Sequence, residues 1–142
     1  MIQRIQSVYL LLAIIGAAVL FFIPIADLTD EAGTFKDYLY LSTEIYFMIM
    51  AGLSGFLSLI TIFLFKNRRI QIILCFINIL LTAALMFTII MNIENPSGYP
   101  ADVQGSYTWG TFIPFLIIIF VSLALKAIKN DEMLVRSMDR LR

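Results

Sequence analysis

The chain has 142 residues, of which 61% are apolar and 14% charged, with no net charge and a mean hydropathy of +0.92. Ten basic and ten acidic residues cannot cover a soluble domain of this size, so the composition belongs to the membrane class, with lipid as much of the solvent. Nothing in the charge points to nucleic acid, the single cysteine, Cys75, excludes an internal disulfide and a CxxC redox pair, and the lack of histidine removes the commonest general base and haem ligand.

In chain order, the first element is an uncharged stretch from Ser7 to Ala26 behind Arg4. It is longer than the apolar core of a signal peptide, and Pro24 stands where a cleavage site after Ala26 wants a small residue, so an uncleaved first helix fits better. Pro24 lies in the outer part of this helix and predicts a kink there. The loop that follows, Asp27 to Glu44, carries Asp27, Asp30, Glu31, Asp37 and Glu44 against Lys36 alone.

The second stretch runs from Ile45 to Phe65. Ala51, Gly55 and Ser58 recur along it at helical spacing, with Gly52, Ser54 and Thr61 nearby, and give one side small side chains, which let another backbone come close in lipid. They are candidate helix-packing residues, facing either a neighbouring span or a second copy in a homo-oligomer. Lys66, Asn67, Arg68 and Arg69 then form a connection short enough to force an antiparallel hairpin with the third stretch, Ile70 to Ile93. Inside that stretch Asn78 calls for an interhelical hydrogen bond, the alternative being part of a polar path. Asn92 and Glu44 fall near span ends, within reach of water or headgroups.

Glu94 to Thr108 is rich in turn formers, with Asn95, Pro96, Ser97, Gly98 and Pro100. The fourth span runs from about Trp109 to Ile128, with Pro114 about one turn inside it as a second kink. Beyond it, residues 129–142 form a charged tail, and along the stretch from Lys126 to Arg142 Ile128, Leu134, Val135, Met138 and Leu141 recur at helical intervals. Glu132 and Arg136, and Arg136 and Asp139, are spaced to pair on a helix surface. Asp131, Glu132, Arg136, Asp139 and Arg140 are therefore candidate partner-docking residues on an interfacial or docking helix, the plainer reading being a solvated helix end.

Each stretch reaches the roughly 20 residues needed to cross a hydrocarbon core about 30 Å thick. Nine of the ten basic residues fall on one side of a four-span arrangement and Lys36 alone on the other. The positive-inside rule then predicts both termini and the short middle loop in the cytoplasm. The expectation is an all-α, polytopic, antiparallel bundle of four transmembrane helices with a cytoplasmic amphipathic extension, in a bacterial inner membrane.

Three patches carry a family resemblance: Met1-Ile2-Gln3-Arg4-Ile5-Gln6 at the start, Lys66-Asn67-Arg68 with Gln71, Cys75 and Asn78 in the middle, and Asp131-Glu132, Leu134-Val135-Arg136-Ser137 and Asp139-Arg140-Leu141-Arg142 in the tail. Together they resemble a bacterial family of small four-span membrane proteins classed as a domain of unknown function. The resemblance implies topology and location and brings no activity. No pair of groups is placed as nucleophile and base, and no catalytic, cofactor or metal residues are expected. The lipid bilayer is the expected surrounding. A non-enzymatic scaffold or accessory subunit is the first functional expectation, and a small oligomeric transporter or channel the second.

Overall fold

The computed structural model describes residues 5–30, 36–64, 67–96 and 103–139, of which the side chains of Asp30, Lys36 and residues 136–139 are left out. Four α-helices lie among them: α1 (Ile5–Val19), α2 (Ile45–Phe63), α3 (Arg68–Glu94) and α4 (Ile113–Asp139). Each packs against two others, α1 and α3 both against α2 and α4, so that α1 and α3 stand diagonally across the bundle. Three segments are long and apolar enough to cross a membrane: Ile45–Phe63, Arg68–Glu94 and Trp109–Val135. The first helix has 15 residues.

Sequence spacing explains which faces turn inward. Gln71, Cys75, Asn78, Thr82, Leu85 and Ile89 are buried along α3 at alternating steps of four and three, and Ile117, Val121, Ala124 and Ile128 do the same on α4. That rhythm keeps one stripe against neighbouring helices. The outward faces carry Phe22, Phe56, Phe63, Phe76 and Phe87, all exposed. Such a surface suits hydrocarbon and not water.

The connections beyond α1 and α3 are built into a three-stranded antiparallel sheet, an order that hydropathy did not foretell. Its strands are β1 (Ala26–Asp30), β2 (Lys36–Leu39) and β3 (Val103–Tyr107), in the order β2-β1-β3. Ala26 stands opposite Leu39 and Tyr107, and Leu28 opposite Asp37 and Gly105. Ala26, Leu28, Leu39 and Val103 are buried, and Gly105 lies so close to the end of α3 that an added Cβ would come within 2.5 Å of the Ile93 carbonyl oxygen. The sheet thus lies over one end of the bundle and ties the first long loop to the second.

Two expectations for the prolines are corrected. The apolar run beginning at Ser7 does not stay helical to Ala26: α1 ends at Val19, turn bonds from Phe21 to Ala18 and from Phe22 to Val19 tighten the chain, and Pro24 lies beyond the helix. Pro24 has no N–H and pushes Ile23 toward extended backbone, so it ends the helix instead of kinking it. Pro114 is the second residue of α4, after a short 3-10 turn at Trp109–Phe112. In a first helical turn a missing N–H breaks no interior bond, so no kink arises there.

Candidate functional site

Two features stand apart from plain packing: a polar seam inside the bundle and the end of α4. The seam lies between α2 and α3. Asn78 donates through Nδ2 to the Ser58 hydroxyl at 2.7 Å and to the Ser54 carbonyl at 3.1 Å, while the Ser54 hydroxyl donates to Asn78 Oδ1 at 2.7 Å. Thr82 Oγ1 sits 3.0 Å from Ser54 Oγ and donates to the Asn78 carbonyl at 2.8 Å. All four residues are at most 1% exposed, so every bond here stands in place of one to water. Nearer the end that carries Arg68, Gln71 Nε2 donates to the Thr61 carbonyl at 2.8 Å.

The small residues of α2 divide between two neighbours. Ala51 is buried and a Cβ on Gly55 would lie 3.5 Å from that of Ala17, which places Gly55 against α1, whereas Ser58 serves α3 through Asn78. Outside this contact, Ala17, Ala18, Gly52 and Gly55, between Phe21 and Phe56, line an apolar groove of about 280 Å³ on the surface of α1 and α2. Asn92, read from sequence as a group near water, is instead 7% exposed and donates to the Tyr46 hydroxyl at 2.7 Å. Beside that pair, Phe87, Thr88, Met91 and Asn95 complete a shallow recess of about 290 Å³ near the sheet.

At the opposite end, Arg68 donates through Nη1 to the Asp131 carbonyl at 2.9 Å and pins α4 to α3. Past that point α4 exposes its apolar side chains. Met133 and Leu134 are 62% and 63% exposed, and Val135 is exposed too. Ile128, counted from sequence among the apolar residues of the tail, belongs to the bundle core with no exposure, and Met133 takes its place among the exposed ones. Asp131 and Glu132 are half-buried. The side chains of Arg136 and Asp139, and the whole of Arg140, lie outside the described residues, as do Arg4, Lys66 and the last two residues.

Sequence reasoning singled out Asn78 for its polar role but not its partners: Ser54 and Thr61 counted only as small residues, Gln6 and Gln71 only in the family resemblance, and Thr82 not at all. A signal existed for one of them. Gln71 and Asn78 are seven residues apart and so share a face of α3, which a search for polar residues at heptad spacing would catch.

The family model described as "Domain of unknown function (DUF4293)" matches residues 2–141, nearly the whole chain. The chain belongs to this family. Membership in DUF4293 covers all four helices and the sheet together, and it assigns no activity to the seam or to the tail. No curated protein and no solved structure matches the chain.

Proposed function

We propose that this protein is a non-enzymatic membrane component, a scaffold or accessory subunit that crosses the bacterial cytoplasmic membrane four times and offers the end of α4 to a protein partner. The observation that carries the reading is the length and course of α4. Its 27 residues rise about 40 Å, against a hydrocarbon core of about 30 Å. The last two turns therefore stand clear of the bilayer when the bundle is seated in it. They bring Met133, Leu134 and Val135 out beside Asp131 and Glu132. A segment already helical loses less conformational freedom on docking than a disordered tail would.

The orientation rests on the charges. By their order along the chain nine of ten basic residues fall outside or between the spans on the side of Arg68, which supports a cytoplasmic tail. The short α1 is compatible with a crossing, because turn bonds carry the chain on through Ile23 and the rise from Ile5 then approaches about 28 Å. A photocrosslinking residue at Leu134, in the full chain in native membranes, is expected to trap a protein. Adducts to lipid alone, with the same proteins captured by a chain ending at Lys129, would overturn the proposal.

The polar seam supports the second reading, a small oligomeric transporter or channel. Against it, the sheet end of the bundle core is filled by Leu20, Ile25, Phe47, Leu85, Ile89 and Ile93, each at most 1% exposed. A path would have to run between copies, with the groove around Gly52 as their meeting place. Solute flux in liposomes that Gly52→Leu abolishes would favour this reading over the scaffold.

A further inference from the structure

We infer that the bundle core, at the end where Arg68 meets α4, binds a water molecule shared by the side-chain carbonyls of Gln6 and Gln71. Gln6 is 8% exposed and Gln71 1%, and the Oε1 atom of each is buried with no hydrogen-bond partner among the described residues. For Gln71 the amide cannot simply be turned round. Its Nε2 donates to the Thr61 carbonyl, and a reversed amide would set two acceptors against each other.

The two glutamines share one layer of the bundle. Gly16 of α1 stands against Ile117 of α4, with a Cβ there only 3.0 Å from the isoleucine side chain. Stepping away from that contact at about 1.5 Å per residue along two antiparallel helices brings Gln6 beside Ile128. Gln71 lies one turn from Arg68, which holds the Asp131 carbonyl, and Ile128 lies one turn before Asp131, so Gln71 reaches the same level. Gln6 and Gln71 thus approach this layer from diagonally opposed helices, with Thr61 and Ile128 from the other two.

A carbonyl left without a donor in such surroundings costs about 1–3 kcal/mol. Water offers two donors, one for each oxygen, and fits a polar site of this kind. A cation would also be drawn to the two oxygens, but charge decides against it. Arg68, Arg69, Lys126 and Lys129 outnumber Asp131 and Glu132 among the described residues of this end, so the local field disfavours a further cation. The water stands at the mouth of the polar seam, with Cys75 one turn deeper on α3 and Asn78 beyond it.

The test is nuclear magnetic resonance of the full chain in lipid nanodiscs, reading magnetisation transfer from water to the glutamine side-chain amides. A long-lived water signal is expected at Gln71, and Gln6→Met should weaken it several-fold by removing one of the two acceptors. Gln104, exposed on β3, reports ordinary surface water as a control. No long-lived signal at Gln71, or one that Gln6→Met leaves unchanged, would overturn the assignment. So would a shift of the Gln71 amide when sodium is exchanged for potassium or for a bulky organic cation, since that would identify an ion.

Discussion

Gly110→Ala is expected to destabilise the protein by about 3 kcal/mol, at the upper end of what overpacking costs. A Cβ at Gly110 would run into the Pro24 carbonyl and the Cα of Ile25, all of it backbone that no rotamer change can move aside. The same segment is held by Thr111 Oγ1, which donates to the Ile25 carbonyl, and by Thr108 Oγ1, which donates to that of Pro24 at 3.2 Å. Forcing the start of α4 away from Ile25 would therefore open the junction between the two long loops. Gly105→Ala should behave alike through its clash with Ile93. Gly52→Ala is the control: a Cβ there meets nothing within 4 Å, and the helix gains about 0.5–1 kcal/mol from losing a glycine. Thermal unfolding in a mild detergent reads all three. Equal midpoints for the Gly52 and Gly110 variants would mean that the sheet is not docked on the bundle.

Asn78→Leu is the second large effect, an expected loss of about 2–3 kcal/mol. The leucine removes the donor to Ser58 and to the Ser54 carbonyl and the acceptor of Ser54 Oγ, leaving these groups buried with fewer partners. Interhelical hydrogen bonds in membranes are individually modest, about 0.6 kcal/mol on average. The larger figure arises because one side chain serves two residues of α2 and the gap cannot refill with water. Ser58→Ala, which leaves Asn78 its bond to the Ser54 carbonyl, should cost no more than about 1 kcal/mol. Unfolding free energies that fail to separate the two variants would remove Asn78 from the centre of the α2–α3 contact.

The helices were legible because hydropathy and length act directly on a chain in lipid, where each long apolar run must satisfy its own backbone. The sheet was not legible, for a physical reason that Ile25, Ala26 and Leu28 make plain. Residues buried beneath a sheet are as apolar as residues of a helix, so the run beginning at Ser7 shows no break where α1 gives way to β1. Pro24 marks that boundary, yet a proline read alone fits a kink as well as an end. Asn78 was legible as a polar residue needing a partner, while Ser54 passed as a small residue and Thr82 went unread, because hydroxyls are common and cheap in apolar helices. In the tail, spacing put Ile128 with Leu134 and Val135. Only the packing of α4 separates a residue held in the core from two that are exposed.

The most direct test of a membrane-spanning bundle with its sheet and its tail on opposite sides is cysteine labelling with a membrane-impermeant maleimide. Ser106→Cys on β3 and Asn130→Cys on α4 are both exposed positions, and the native Cys75 is buried. The account predicts that the Ser106 variant is labelled from outside intact spheroplasts and the Asn130 variant only in inverted vesicles. Labelling of both from the same side would contradict it.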